Sequence, residues 1–231
     1  MARMLPHTWC RMTKRFTIKE CFYTMQGEGA HSGRAAVFLR FAGCNLWNGT
    51  EEGREHGKGD CSKWCDTDFV GGDKLTADEI ADLLDATHPD IAINPVTTSR
   101  FVVVTGGEPT LQVTEALIEL LQRRGWFVAI ETNGTVSNPA LRIIDWVCVS
   151  PKRGSSLVIS QFNEMKVVLP GGWTESELLD LEAKADEAKS MLFAQPQDSP
   201  ESAGIERSVA WVLNHPRWRL SYQTHKALGL R

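Results

Sequence analysis

Phe101-Val102-Val103-Val104 runs directly into Thr105-Gly106-Gly107-Glu108-Pro109. Four consecutive apolar residues predict a strand that is buried on both faces, as in a parallel sheet. The glycine pair predicts a tight turn at the end of that strand, and Pro109 suits the first turn of a following helix. The segment therefore predicts a strand–turn–helix unit, from which parallel α/β folds are built.

The same alternation extends in both directions along the chain. Further strands are predicted at residues 35–41, 127–130, 146–149, 164–169, 191–194 and 218–222. Helices are predicted at residues 111–124 and 208–214. Two more should follow the capping boxes Thr76-Ala77-Asp78-Glu79 and Thr174-Glu175-Ser176-Glu177, the second running to about residue 189. This order predicts an α/β fold with parallel strands, which could close fully or partly into a barrel.

Polar motifs follow four of the predicted strands at their carboxyl ends. They are Thr105-Gly106-Gly107-Glu108, Glu131-Thr132-Asn133-Gly134, Ser150-Pro151-Lys152 and Gln195-Pro196-Gln197-Asp198. The last two carry groups suited to ribose or adenine, although each string alone is typical of an ordinary loop. Because the carboxyl ends of parallel strands share one edge, the four motifs predict a single site at that edge.

The composition is that of a globular protein, with 231 residues, 42% hydrophobic and 23% charged. We expect a leader at residues 1–15 and one domain at residues 16–231. The net charge of −4 disfavours sequence-independent binding of nucleic acid, which needs a basic surface. Neither a bilayer-spanning apolar run nor a secretory signal is seen in the sequence. We therefore expect a cytoplasmic protein without a membrane partner, whose cysteines are metal ligands or free thiols.

Three cysteines, Cys44, Cys61 and Cys65, carry the strongest chemical signal. Three thiolates can bind three irons of a four-iron cluster and leave the last iron open, whereas electron-transfer clusters usually have four protein ligands. A structural zinc site completed by His56 or Asp66 is the alternative that the spacing leaves open. The parallel βα context and the glycine turn favour the cluster. That turn could also receive a small cofactor, with Glu108 pairing with its ammonium group.

Three other polar features each have a functional and a structural interpretation. Arg40 shares one face of its strand with Phe38, opposite Val37, Leu39 and Phe41, and its guanidinium could bind a substrate carboxylate or form a structural ion pair. Thr67, between Asp66 and Asp68, could bind a hard cation, although the spacing alone favours a helix cap or an acidic surface patch. His225, a single histidine at the end of a predicted strand, is by itself more typical of a structural role.

Nine motifs occur in an order that resembles one known family. They are Phe22-Tyr23-Thr24-Met25-Gln26-Gly27-Glu28-Gly29, Arg40-Phe41-Ala42-Gly43-Cys44-Asn45-Leu46-Trp47, Cys65-Asp66-Thr67-Asp68-Phe69, Thr105-Gly106-Gly107-Glu108-Pro109, Glu131-Thr132-Asn133-Gly134, Val149-Ser150-Pro151-Lys152, Glu164-Met165-Lys166-Val167-Val168, Gln195-Pro196 and Gln223-Thr224-His225-Lys226. From about residue 16 to residue 231 the chain closely resembles the 7-carboxy-7-deazaguanine synthases, which are radical S-adenosylmethionine enzymes.

This resemblance implies a modified, incomplete (β/α) barrel of the radical S-adenosylmethionine type that forms a homodimer. It implies a lyase of queuosine and 7-deazapurine biosynthesis, which converts 6-carboxy-5,6,7,8-tetrahydropterin to 7-carboxy-7-deazaguanine and releases ammonia. The implied cofactors are a [4Fe-4S] cluster, S-adenosyl-L-methionine and Mg²⁺. An external one-electron reductant, flavodoxin-like or ferredoxin-like, would reduce the cluster.

The resemblance also implies a role for each matching residue. Cys44, Cys61 and Cys65 would ligate the cluster, and Thr67 would coordinate magnesium. The residues implied to contact substrate are Met25, Gln26, Gly27, Glu28, Arg40, Thr105, His225 and, through its terminal carboxylate, Arg231. The residues implied to surround S-adenosylmethionine are Trp64, Cys65, Asp66, Gly106, Gly107, Glu108, Ser150, Pro151, Lys152, Gln195, Pro196, Gln197 and Asp198.

The chain departs from the family pattern in the cysteine loop and near its end. Sixteen residues separate Cys44 from Cys61, but three rather than the usual two separate Cys61 from Cys65, so the register around Trp64 is not fixed by the resemblance. Gln197 stands where the family often has methionine, and Arg231 ends a tail that often ends differently. Two other classes of function stay open at this point: a zinc-stabilised binding module, and a radical enzyme that activates another protein and would need a peptide-docking surface.

Overall fold

The computed structural model describes residues 14–89, 100–198 and 203–230. Its strands are β1 Phe16–Met25, β2 Ala35–Phe41, β3 Asp73–Leu75, β4 Phe101–Gly106, β5 Phe127–Thr132, β6 Trp146–Val149, β7 Glu164–Leu169, β8 Met191–Pro196 and β9 Arg219–Leu220. They form one sheet in the order β3-β1-β2-β4-β5-β6-β7-β8-β9. Pairing is parallel from β2 to β9, while β1 is antiparallel to both of its neighbours. The predicted α/β fold with parallel strands is confirmed, and within the described residues the sheet stays open.

Five α-helices accompany the sheet in the described residues: α1 Ala77–Thr87, α2 Glu115–Arg123, α3 Glu175–Glu187, α4 Gly204–Asn214 and α5 Thr224–Ala227. Both predicted capping boxes are present, because Thr76 and Thr174 each bond reciprocally with the glutamate three residues later. No described helix has the combination of length and apolarity that is needed to cross a bilayer.

Several predicted boundaries were wrong. The helix predicted at 111–124 begins only at Glu115, because the Thr114 side chain accepts a hydrogen bond from Leu117 N and caps it there. The helix predicted at 208–214 already begins at Gly204. The last strand is only Arg219–Leu220, because Trp218 N turns back to bond with His215 O.

Two strands, β1 and β3, are absent from the sequence predictions, and the helix of α5 takes the place of a predicted strand end. β1 and β3 add an antiparallel edge to an otherwise parallel sheet, an arrangement common in large α/β sheets. Residues 1–13 lie outside the described residues, so the leader at 1–15 and the domain boundary at residue 16 stay predictions.

The two faces of the sheet have different chemistry. Residues on the outer face of β2 and β4, such as Leu39 and Val104, pack against Leu84 of α1 and Leu117 of α2 in one fully buried core. Side chains of the inner face alternate with them and line a cavity at the carboxyl ends of the strands. Arg40 belongs to this inner face, as its position in the strand predicted.

An aromatic cluster fills the opposite end of the inner face. The His31 ring lies 4.6 Å from Trp146 and 5.0 Å from Phe101, centroid to centroid, and Arg34 stacks over Phe101 at 4.0 Å. Since Phe101 and Trp146 are the first residues of their strands, this cluster occupies the amino ends, opposite the carboxyl ends where the cavity lies.

Candidate active site

A cavity of about 560 Å³ lies at the carboxyl ends of the parallel strands. Most of the residues predicted to bind cofactor, substrate or metal line it together: Met25, Gln26, Glu28, Arg40, Cys44, Cys61, Trp64, Cys65, Asp66, Thr67, Thr105, Gly106, Gly107, Ser150, Lys152, Gln195, Pro196, Gln197, Asp198 and His225. The four polar motifs that follow separate strands therefore contribute to one site, as the fold predicted.

Three predicted residues of the described part do not line the cavity: Gly27, Glu108 and Pro151. Gly27 is buried, and its carbonyl oxygen accepts hydrogen bonds from the backbone and side chain of Thr224. Pro151 is buried between two residues that do line the cavity. Arg231 lies outside the described residues, so its role stays a prediction.

The cysteine loop is held by the glycine turn and by the loop after β6. Glu108 N bonds to Gly43 O at 2.8 Å, directly before the first cysteine. Asp60 N bonds to Arg153 O at 2.9 Å, and the Arg153 guanidinium bonds to the Asp60 carboxylate at 3.2 Å. A 3-10 turn then places Cys65 N 2.7 Å from Cys61 O, so the second and third cysteines follow each other within one turn.

Cys44, Cys61 and Cys65 all reach the same cavity wall. Burial raises the pKa of Cys61 to about 11, although Lys152 opposes this, and burial also raises the pKa of Cys44. These thiols therefore hold their protons until a metal displaces them. In the described ranges, no three His, Cys, Asp or Glu side chains lie close enough to share one metal ion. The three cysteines line one cavity, where each could bind a different iron of a cluster.

The glycine turn brings backbone against the cysteine loop. Gly106 has φ +142°, and a Cβ there would lie 2.1 Å from Phe41 O. A Cβ on Gly107 would lie 2.2 Å from Gly43 O and 2.9 Å from the Cβ of Cys44. Both positions therefore require glycine on steric grounds, and the bare backbone of both residues lines the cavity.

Glu108 does not line the cavity, where it was expected to pair with an ammonium group. Its side chain is fully buried, and its Oε1 accepts hydrogen bonds from Thr110 N at 3.0 Å, Thr110 Oγ1 at 2.5 Å and Thr132 Oγ1 at 2.8 Å. Its Oε2 accepts from Asn133 N at 2.7 Å. With both oxygens engaged, the carboxyl group joins the glycine turn to the end of β5.

Glu108→Gln should lower the free energy of unfolding by about 2–3 kcal/mol, because an amide places an N–H donor where a buried oxygen accepts. Denaturant titration measures the loss. The same substitution at Glu119, which is exposed and weakly paired with Arg123, should change stability by less than about 0.5 kcal/mol. Equal unfolding free energies of the two variants would contradict the role of Glu108 as a buried hydrogen-bond acceptor.

Arg40 forms the structural ion pair that its sequence position allowed, and it also faces the cavity. Its Nε donates to Glu20 Oε1 at 2.7 Å, and this ion pair is largely shielded, with about a fifth of each side chain exposed. Arg40 also lines the cavity. Glu20 thus fixes the guanidinium through Nε, the geometry from which its outer edge can bind a carboxylate.

Two cavity residues received no individual role from sequence reasoning: Glu131, although its motif was predicted to lie at the site, and Lys166. Glu131 is in β5 and Lys166 is in β7, both within otherwise apolar strands. The sequence held a signal for both residues, because a charged side chain inside an apolar strand is the feature that drew attention to Arg40.

The C-terminal segment covers one side of the cavity. Gln223 Nε2 donates to Glu28 Oε1 at 2.7 Å, and Lys226 Nζ bonds to Asp66 at 2.8 Å and to Asp198 at 2.6 Å. His225 lines the cavity beside Gly27, and burial lowers the pKa of its imidazole. This segment therefore connects the first turn, the cysteine loop and the end of β8.

Similar proteins identify the family. No family model matches the chain. The 7-carboxy-7-deazaguanine synthase of Bradyrhizobium diazoefficiens is 47% identical over 223 residues, covering 94% of this chain and 99% of that protein. The synthase of Burkholderia multivorans is 45% identical over 221 residues, covering 93% and 99%. The chain belongs to the 7-carboxy-7-deazaguanine synthase family.

A solved structure agrees with this assignment to the 7-carboxy-7-deazaguanine synthases. The crystal structure of QueE from Escherichia coli matches with a TM-score of 0.64 and 25% identity, covering 90% of this chain and 94% of that chain. The open, mostly parallel sheet is therefore an incomplete barrel of the radical S-adenosylmethionine type.

Membership of the 7-carboxy-7-deazaguanine synthase family makes the protein a radical S-adenosylmethionine lyase of queuosine biosynthesis, and it implies a [4Fe-4S] cluster and S-adenosylmethionine. The site fits both groups, because three cysteines line the same cavity as the bare backbone of Gly106 and Gly107. The family and the lyase class predicted from the sequence are confirmed.

Proposed function

We propose that the chain converts 6-carboxy-5,6,7,8-tetrahydropterin to 7-carboxy-7-deazaguanine with release of ammonia. The observation that carries this proposal is the joint lining of one cavity by three cysteines, two glycines and a set of charged side chains. The relatives that bear the name of this synthase are 45–47% identical to the chain over almost its whole length.

In this proposal Cys44, Cys61 and Cys65 hold the cluster, and the backbone of Gly106 and Gly107 meets S-adenosylmethionine. Bound there, the two cofactors supply the carbon radical that starts the reaction. The loops after β6 and β8, with Ser150, Lys152 and Gln195 through Asp198, enclose the remainder of S-adenosylmethionine. Lys152 is already oriented by a 2.8 Å hydrogen bond to Ser150 Oγ.

The other wall of the cavity would bind the pterin. Arg40, held by Glu20, would bind the carboxylate, while Glu28 and Glu131 would accept hydrogen bonds from ring N–H and amino groups. Met25, Gln26, Thr105 and His225 complete this wall. The two ends of the proposed substrate therefore meet side chains of opposite charge.

Anaerobic reconstitution followed by incubation with the carboxytetrahydropterin, a reductant and S-adenosylmethionine tests the reaction. Mass spectrometry should detect 7-carboxy-7-deazaguanine, with one ammonia for each product molecule. Formation of 5′-deoxyadenosine without a deazaguanine would overturn the substrate assignment. A colourless protein that retains one zinc would overturn the radical chemistry as well. A flavodoxin or ferredoxin is the class of reductant that we propose in the cell, and dithionite can replace it in this assay.

Magnesium binding at Thr67 is a separate part of the proposal. Thr67 is half-buried in the cavity wall between Asp66 and Asp68, and its hydroxyl is a hard oxygen ligand. Thr67→Val keeps the side-chain shape but removes that oxygen. Turnover at limiting Mg²⁺ should fall roughly 10- to 100-fold, the usual range for perturbed metal sites, and higher Mg²⁺ should restore part of it. Thr87→Val, the same change outside the cavity, should keep the wild-type Mg²⁺ dependence. A Thr67→Val enzyme with unchanged Mg²⁺ dependence would contradict the role.

A homodimer is the assembly that we propose, and the exposed face of α4 supports it. Ile205, Val209 and Leu213 repeat every four residues on α4, and they are 51%, 37% and 77% exposed. Leu213→Glu should shift the protein from dimer to monomer in light scattering, because a charge would be buried at the contact. Leu179→Glu on the exposed side of α3 should leave the dimer intact. A monomeric wild type, or a dimeric Leu213→Glu variant, would rule out this surface.

A further inference from the structure

Lys166 is a buried cation that no predicted role explains. It lies in the middle of β7 with its side chain only 4% exposed, and it points to the inner face, where it lines the cavity. Taking an ammonium group out of water costs several kcal/mol unless partners compensate. Its partners therefore decide what the residue does.

The partners are two carboxylates from different parts of the chain. Lys166 Nζ donates a short hydrogen bond to Glu28 Oε2, and it lies 3.0 Å and 3.2 Å from the two oxygens of Glu131. Glu28 follows β1, while Glu131 is in β5. The three N–H groups of the ammonium match these three contacts, so Lys166 joins two carboxylates rather than presenting a donor to a ligand.

Lys166 and Glu28 shift each other's pKa in the direction that favours their charged forms. Burial raises the pKa of Glu28, but Lys166, Gln223 and His225 together outweigh it and lower that pKa from 4.5 to about 2. Burial lowers the pKa of Lys166, but Glu131, Glu28, Cys148 and Glu164 together outweigh it and raise that pKa well above 10.5. Two carboxylates and one ammonium give the triad itself a formal charge of −1.

Further hydrogen bonds restrict the same carboxylates. Gln223 Nε2 donates to the second oxygen of Glu28 at 2.7 Å, and Gln26 Nε2 lies 3.4 Å from Glu131 Oε1. Glu28 and Glu131 keep 17% and 20% of their side chains exposed, and both line the cavity. A carboxylate oxygen has more than one lone pair, so each can still accept a donor from a bound molecule.

We propose that Lys166 is a positioning residue, which clamps Glu28 and Glu131 into one rigid acceptor edge for the N–H groups of the substrate ring. This proposal rests on the proposed function, since it assigns that edge to a pterin. Without the clamp, two like charges on one wall would repel each other, and the acceptor edge would lose its geometry.

Lys166→Met tests the clamp, because methionine has a similar length but no charge. Cluster content and uncoupled cleavage of S-adenosylmethionine should stay within about twofold of wild type, since neither requires the pterin. KM for the carboxytetrahydropterin should rise at least tenfold. Fluorescence titration with pterin-6-carboxylic acid, which reports binding without turnover, should show a similar loss of affinity. Lys184→Met, the same change at an exposed position of α3, should match wild type in every assay.

A folded Lys166→Met protein whose KM and pterin affinity are within twofold of wild type would overturn the proposal. If that variant does not fold, the double variant Lys166→Met/Glu28→Gln is used in its place, because it removes one positive and one negative charge together. The double variant should bind pterin at least fivefold more weakly than Glu28→Gln alone, because Glu131 is no longer held; equal affinities would overturn the clamp.

The proposed function can fail separately from this inference. A wild-type enzyme that makes no deazaguanine would refute the proposed function, whereas the ratio of pterin affinities between wild type and Lys166→Met would still report on the clamp. Loss of cluster or of uncoupled cleavage in Lys166→Met would show a general structural role and would also overturn the proposal.

Discussion

Cys61→Ala should yield a folded protein that cannot retain a complete cluster and forms no deazaguanine above background. Cys61 is 7% exposed and follows the Asp60 contact that fixes the cysteine loop, so no other described cysteine can take its place without moving that loop. Losing one of three ligands removes the site where S-adenosylmethionine is activated. We expect turnover to fall at least about a thousandfold, equivalent to about 4 kcal/mol of transition-state stabilisation. Iron analysis, visible absorption and product formation measure these effects.

Cys21→Ala is the matched control. Cys21 is in β1 outside the cavity lining, and its thiol bonds to Thr87 Oγ1 at 3.4 Å. This variant should retain its iron and its turnover. Full activity in Cys61→Ala would remove Cys61 from the ligand set. Loss of iron in Cys21→Ala would show that the assay reports folding rather than ligation.

Gly107→Ala should abolish activity through the geometry of the backbone. The added Cβ would lie 2.2 Å from Gly43 O and 2.9 Å from the Cβ of Cys44, far inside normal contact distances. Neither obstacle is a flexible side-chain end, so the turn and the cysteine loop must move apart. The unfolding free energy should fall by about 1–3 kcal/mol, as for other overpacked sites. Turnover should fall at least roughly 100-fold, because a shift of about 1 Å near reacting groups can have that effect.

Gly125→Ala separates backbone strain from the steric clash. Gly125 follows α2 with φ +84°, and nothing lies within 4 Å of a Cβ placed there. The left-handed conformation alone should cost about 1–2 kcal/mol, and cofactor cleavage should be unchanged in the folded enzyme. Calorimetry and the 5′-deoxyadenosine assay distinguish the two variants. If Gly107→Ala retains both iron and turnover, close approach of the turn to the cysteine loop is not required.

Local spacing made the main parts of the site predictable. Three of its features can be recognised from residues that are near in sequence. They are the strand that ends in two glycines, the three cysteines, and the arginine opposite Val37, Leu39 and Phe41 in its strand. Strand periodicity and the shared edge of parallel strands then place their side chains. Boundaries were less predictable, as at α2, because Thr114 caps the helix after a separate turn.

Contacts between residues that are distant in sequence could not be predicted from local spacing. Glu108 was expected to meet a cofactor, but Thr132 and Asn133, 24 and 25 residues later, take up its oxygens. The sequence shows that Glu108 follows a strand, but not which strand end lies beside it. Strand order decided that pairing.

By itself, then, the sequence determined the strand–turn–helix repeat, the three thiols and the bare glycine backbone, since each is a property of neighbours along the chain. Only the tertiary structure decided that Lys166 joins Glu28, 138 residues away, to Glu131, and that Gln223 reaches Glu28. The physical reason is that burying a charge requires a partner but does not specify one. The packing of β1, β5 and β7 around one cavity made that choice.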